Sequence, residues 1–131
     1  MARILLAEDE DVLRTMLVRA FADDHEVVAA ADGAEALDRL VAAEGAFDLL
    51  LTDIRMPLMD GIALALAAAR DYPRLTILMM TGFAEQRERA HGLEALIHDV
   101  VAKPFSLAQI RDAVAGALAS RGEPSVAAPP A

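Results

Sequence analysis

Five short apolar runs, each followed by a longer stretch of helical period, constrain this chain more than any other property. Short runs bounded by polar or turn residues read as strands, and strands alternating with helical segments build βαβ units around a parallel sheet. The predicted strands span 3–7, 26–30, 47–52, 76–80 and 99–102. In the segment 11–22, Leu13, Leu17, Ala20 and Phe21, with Val12, Met16 and Val18, form an apolar stripe, and Arg14 and Arg19 lie off its centre. Asp32-Gly33 opens a second helix with Ala36, Leu37, Leu40 and Val41 on one face, and Gly45 stands where its C-cap is expected. A third, Ala-rich helix covers 61–71 and is closed by Tyr72-Pro73, because a residue before proline is pushed out of the helical region. The fourth, 84–96, is wet: Glu85, Arg87, Glu88, Arg89 and Glu94 are charged, and Gly92 interrupts it. The fifth covers 106–118, with Ser106 as N-cap and Leu107, Ile110, Val114 and Leu118 along one face. The fold class is therefore α/β, a (βα)5 doubly wound five-stranded parallel sheet with right-handed crossovers and helices on both faces.

At 131 residues the chain has room for one sizeable core. The domain is expected over 1–120, and 121–131, rich in Pro and Ala, is expected to be a disordered tail. The net charge of -9 repels phosphate backbones and anionic lipid, so no nucleic acid and no membrane is expected as a direct partner. Cations and basic protein surfaces fit that charge better. Zero cysteines exclude disulfides and thiol chemistry. No apolar run approaches the roughly 18 residues of a membrane span, and Met1-Ala2-Arg3 leads straight into a strand, so a cytoplasmic location is expected.

In an open α/β sheet, residues at the carboxyl ends of the strands converge on one crevice. Four such ends here carry polar residues: Glu8-Asp9, Asp53, Thr81 and Lys103-Pro104. Taken alone, the acidic run Glu8 to Asp11 reads as a favourable first helical turn, worth about 0.3 to 1 kcal/mol per charge. It holds more carboxylates than a cap requires, however, and Asp53 at the end of an adjacent strand would lie close to Asp9. Two unit charges about 4 Å apart repel by on the order of 4 kcal/mol at an effective dielectric near 20. A hard cation offsets this, and two carboxylates, a backbone carbonyl and waters suit Mg²⁺. Zinc is disfavoured, since there is no Cys and His25, His91 and His98 lie outside the cluster.

Asp53 then has two readings: a second metal ligand, or a carboxylate nucleophile that accepts a phosphoryl group. The companions favour the second, because phosphoryl transfer needs a metal, an ammonium and a hydroxyl donor at the phosphoryl oxygens. Thr81 and Lys103 are of those types. On spacing alone Thr81-Gly82 is a turn, and Met56-Pro57 and Asp60-Gly61 are turn chemistry whatever their loop does. Lys103 as an ordinary surface lysine fits less well, since it leaves a strand directly into the fixed turn of Pro104-Phe105.

The motifs ILLAEDE, LLLTDIRMPLMDG, MMTG and KPF, in this order and spacing, resemble the receiver domain of bacterial two-component response regulators over nearly the whole chain. TGFA, ILLAEDE and a short tail are similar to the stand-alone, single-domain cell-cycle receivers of alphaproteobacteria, which regulate proteolysis. The resemblance implies a flavodoxin-like sheet of order 2-1-3-4-5 and phosphorylation of Asp53 by a histidine kinase or phosphotransfer protein. It also implies Mg²⁺ held directly by Asp9, Asp53 and the Arg55 carbonyl, and by Glu8 through water. Thr81 would be the switch hydroxyl, Lys103 the cation paired with the phosphoryl group, and the Lys103-Pro104 bond cis. Output would be protein contact with a downstream target; the domain would not be an enzyme beyond slow self-dephosphorylation, which Arg55 and Phe83 would tune. One position departs from the family: Val100 stands where an aromatic ring usually couples to the threonine. Two other readings compete. One is a receiver from a larger regulator or hybrid kinase; the other is a Mg²⁺-dependent phosphohydrolase, which would place an acid where Arg55 stands.

Overall fold

The computed structural model describes residues 1–82, 90 and 92–120. In chain order these form β1 (Arg3–Ala7), α1 (Asp11–Phe21), β2 (Glu26–Ala30), α2 (Gly33–Ala42), β3 (Leu49–Asp53), α3 (Gly61–Asp71), β4 (Thr76–Thr81), β5 (Asp99–Ala102) and α4 (Leu107–Ser120). The strands make one parallel sheet of order β2-β1-β3-β4-β5, as the resemblance implies. A parallel sheet is covered on both faces, so its central strands read as unbroken apolar runs. Accordingly Ile4, Leu5 and Leu6 of β1 and Leu49, Leu50 and Leu51 of β3 are all buried.

Side chains alternate between the two faces with the period of the pleat. Leu5, Ala7, Leu50, Ile77 and Met79 meet Ala36 and Leu40 of α2 and Leu64, Ala65 and Ala68 of α3. Ile4, Leu6, Leu49, Leu51, Leu78 and Met80 meet Leu17 and Phe21 of α1 and Ile110, Val114 and Ala117 of α4. At about 25 cal/mol per Å² of apolar surface, these two layers supply most of the drive to fold.

Helix ends follow the local sequence. Asp32 Oδ1 accepts from Glu35 N–H at 2.7 Å, and Asp60 Oδ1 from Ala63 N–H at 2.9 Å. Ser106 and Gln109 cap each other: Gln109 N–H donates to Ser106 Oγ at 3.0 Å, and Ser106 N–H donates to Gln109 Oε1 at 2.7 Å. α2 is C-capped by Ala43, and Gly45, at φ 75°, returns its N–H to Leu40 O at 2.9 Å.

Several boundaries differ from the sequence reading, among them the ends of α1, at Phe21, and of α4, which covers Leu107–Ser120. β3 begins at Leu49, two residues after Phe47, because Phe47 N–H turns back to Gly45 O at 2.7 Å. β4 runs one residue further, through Thr81, whose register partner is Ala102. The helix expected over 84–96 falls largely outside the described residues; 92–96 are turns, with Leu96 N–H bonded to Leu93 O at 2.8 Å. The expected tail at 121–131 and Phe83 also lie outside the described residues.

Candidate functional site

The strand order reverses between β1 and β3, and at such a switch point the chain leaves neighbouring strands in opposite directions and opens a crevice. Ala7 pairs with Thr52, so Glu8 and Asp53 follow one step on from the last shared rung. Neighbouring strands lie about 4.8 Å apart, which brings their side chains together. Carboxylate oxygens of Glu8, Asp9 and Asp53 all lie within 4.8 Å of one another. Glu8 is fully buried and Asp53 nearly so, whereas Asp9 is exposed.

Lys103 follows the last residue of β5, and its side chain reaches across the end of β4. Its ammonium donates to Asp53 Oδ2 at 2.9 Å and to Glu8 Oε1 at 2.9 Å. Its backbone N–H donates to Thr81 O at 2.7 Å, and the Lys103–Pro104 peptide is cis. The other carboxylate oxygens also have donors. Ile54 N–H reaches Asp53 Oδ1 at 2.9 Å, and Glu10 N–H reaches Glu8 Oε2 at 2.9 Å.

Burial pushes the Glu8 carboxyl above its ordinary range, and the Asp53 charge adds to this; the Glu10 N–H and Lys103 oppose it without cancelling it. For Lys103, burial acts to lower the pKa, but the hydrogen bonds and charges of Asp53 and Glu8 outweigh it, and the net direction is up. The ammonium is therefore the internal counter-ion of two buried carboxylates.

Above the cluster lies an open pocket of about 630 Å³, with Asp9, Asp53, Arg55, Met56, Gly82 and Lys103 in its wall. Glu8 sits beneath it. Thr81 is buried at the end of β4, next to the lining residue Gly82, and does not itself line the pocket. Val100 pairs with Met79 inside the sheet and packs, partly buried, against the core cluster that includes Met79, Leu93 and Ile97. The acidic run expected as one group thus divides: Glu8 goes into the protein, Asp9 and Glu10 line the pocket, and Asp11 lies exposed beyond it.

Two features escaped the sequence reading. Arg14, assigned to the edge of the α1 stripe, donates from Nη1 to the Glu8 backbone carbonyl at 2.9 Å and pairs through Nη2 with Asp11. Its signal was directional: helical side chains lean toward the N-terminus, so an arginine in the first turn reaches the preceding loop. The second is an apolar groove between α1 and α4. A cavity of about 630 Å³ lined by Val12, Met16, Leu107 and Arg111 continues into one of about 400 Å³ lined by Met16, Pro104 and Phe105. Val12, Met16 and Leu107 are exposed there. The smaller cavity shares Glu10, Gly82 and Lys103 with the acidic pocket.

The all-oxygen cluster fits a small hard cation in its donor chemistry. Among the described residues no helix is long and apolar enough to cross a membrane.

The model of the response regulator receiver domain family matches residues 4–115. The chain is 44% identical over 108 residues to the response regulator receiver protein CpdR of Brucella abortus (strain 2308), covering 82% of this chain and 88% of that protein. It is 40% identical over 118 residues to the regulatory protein AtoC of Escherichia coli (strain K12), covering 88% of this chain but 25% of AtoC. The structure of the response regulator protein TrrA of Thermotoga maritima, solved in complex with Mg(2+)-BeF, is similar at a TM-score of 0.79 and 25% identity, covering 89% of this chain and 99% of that one. An acidic crevice at the switch point of a 2-1-3-4-5 sheet and the sequence match lead to one conclusion: this chain belongs to the response regulator receiver domain family.

Proposed function

We propose that this receiver domain is a phosphorylation-dependent signalling switch in which Asp53 accepts a phosphoryl group from a histidine kinase or phosphotransfer protein. The observation that carries this reading is the Asp53 carboxylate, nearly buried, held at 2.9 Å by Lys103 and facing an open pocket. An Asp53 oxygen forms a bond to phosphorus while the bond from phosphorus to the donor's imidazole nitrogen breaks and the nitrogen keeps the electron pair. The Lys103 ammonium, freed from Asp53 Oδ2, turns to the phosphoryl oxygens, where its charge opposes the added negative charge. Ile54 N–H keeps the acceptor oriented through Oδ1.

Asp9, Asp53, the Arg55 carbonyl and, through water, Glu8 would hold Mg²⁺. When bound, Mg²⁺ neutralises the carboxylate cluster and the transferring phosphoryl oxygens. The Mg(2+)-BeF complex of TrrA supports this assignment. A phosphoryl group adds about -1.5 to -2 charge, and Thr81 at the end of β4 is the hydroxyl through which this change reaches the surface. With Val100 in β5, that output runs through the backbone or other side chains rather than through an aromatic ring.

The donor seats on the α1–α4 groove. That groove shares Glu10, Gly82 and Lys103 with the acceptor pocket, so a partner held by Val12, Met16 and Leu107 brings its phosphohistidine to Asp53. Output is protein contact with a downstream target in the cytoplasm, and a net charge of -9 favours basic protein surfaces over nucleic acid or membranes. The domain spans 1–120, with 121–131 as a tail.

Incubation with acetyl phosphate and Mg²⁺ tests the reading. Incorporation of one phosphoryl group per chain, followed by slow loss, is expected; steady turnover of small phosphoesters would contradict it in favour of a phosphohydrolase.

A further inference from the structure

We infer that Arg14 is a positioning residue for the acceptor site, holding the turn that carries Asp9 into the carboxylate cluster; this rests on the phosphoryl-acceptor reading above. Among the described residues, the other helices each start with a side-chain cap: Asp32 on α2, Asp60 on α3 and Ser106 on α4. α1 does not, since Glu10 at its N-cap makes no side-chain hydrogen bond to the helix. The turn from β1 into α1 is held differently. Arg14 N–H makes the first helical bond, to Glu10 O at 2.9 Å, and Arg14 Nη1 reaches back to Glu8 O at 2.9 Å. Nη2 pairs with Asp11, so one guanidinium ties the residue before Asp9 to the first turn after it.

Glu8 is fixed at four points: its N–H donates to Ala30 O, its carbonyl accepts from Arg14, Oε1 from Lys103 and Oε2 from Glu10 N–H. Glu10, on the other side of Asp9, is held through both its N–H and its carbonyl. Asp9 sits between two anchored neighbours, and its direction into the pocket follows from them. The Arg14 side chain is only 22% exposed, which suits a fixed fork better than a solvated charge.

A positioning role and a purely electrostatic one differ in sign. A guanidinium beside a cation site repels the cation, so removing it would tighten Mg²⁺ binding if charge were its only effect. If it positions the turn, removing it weakens binding, as loss of a group that orients a metal ligand does by about 10-fold or more.

The experiment is calorimetric titration of wild type, Arg14→Met, Arg14→Lys and the surface control Arg39→Met with Mg²⁺ at physiological salt, with folding checked by circular dichroism. We expect Arg14→Met to bind Mg²⁺ about 10-fold more weakly, and Arg14→Lys, which keeps the charge but loses the two-point fork, to be weakened as well. Arg39→Met should match wild type. Unchanged or tighter binding by folded Arg14→Met overturns the inference. If Arg14→Met does not fold, Arg14→Lys decides in the same way. If wild type itself binds no Mg²⁺, the acceptor reading fails and this inference falls with it; normal wild-type binding with an unaffected Arg14→Met removes only the role of Arg14.

Discussion

The Lys103 ammonium lies 2.9 Å from Asp53 Oδ2, joining residues 50 apart in sequence across the end of β4. The same group holds Glu8, so one cation pairs with two buried carboxylates, at the ends of β1 and β3. Removing one partner of a buried ion pair leaves an uncompensated charge, at about 3 to 5 kcal/mol. Lys103→Met is therefore expected to lower stability by about 3 kcal/mol near neutral pH in chelator, read from urea unfolding. Mg²⁺ bound at the cluster as proposed should recover part of that loss. A variant as stable as wild type without Mg²⁺ would contradict the role of Lys103 as counter-ion.

That ion pair also sets an alkaline limit. The pKa of Lys103 is raised in the folded chain above its ordinary 10.5, so between the two values the native state holds the proton more often than the unfolded state does. Stability from this pair is then full below 10.5 and is lost as pH rises through the higher folded value. Wild type should lose stability relative to Lys103→Met in that alkaline window, with no such relative change between pH 7 and 9. Parallel stability curves for the two proteins above 10.5 would exclude the linkage.

Gly61, the first residue of α3, approaches β3 so closely that a Cβ there would stand 2.1 Å from Asp53 O. Its N–H also closes the loop onto Ile54 O at 2.6 Å. Gly61→Ala must displace backbone, and we expect about 1 to 3 kcal/mol of destabilisation together with slower phosphoryl uptake. Gly116, inside α4, has no atom within 4 Å of its added Cβ, and Gly116→Ala should stabilise by about 0.5 to 1 kcal/mol. Thermal unfolding that ranks the two variants in the opposite order would refute this packing account.

The groove prediction separates donor docking from chemistry. Val12 is 76% exposed in the first turn of α1, where an acidic residue is compatible with the helix dipole. Val12→Asp should slow transfer from a phosphorylated donor protein by about 10-fold, the equivalent of 1.4 kcal/mol, while acetyl phosphate labels it as fast as wild type. Equal slowing with both donors would place the defect in the acceptor site instead.

What the sequence made legible follows from how each signal arises. β1 and β3 are buried on both faces, so their runs are continuous and their ends, with Glu8-Asp9 and Asp53, could be located from composition alone. Lys103 was marked by the turn that follows it. The division of the acidic run was not legible, because Glu8 and Asp9 differ in burial only through the direction of one turn, and that turn is set by Arg14 and Lys103 from other parts of the chain. Phe47 was read as strand for its hydrophobicity, yet it packs below the Arg3 guanidinium at 4.4 Å, a tertiary contact that strand propensity does not register. The helix expected over 84–96 lies largely outside the described residues, and only its end, 92–96, is seen to form turns.

The most direct test of the account is intact-mass measurement of wild type and Asp53→Asn after incubation with acetyl phosphate, each with Mg²⁺ and with chelator. One phosphoryl group on wild type in Mg²⁺ alone, and none on Asp53→Asn in either condition, is the predicted result. Equal labelling of both proteins, or no labelling of wild type, would contradict Asp53 as the acceptor.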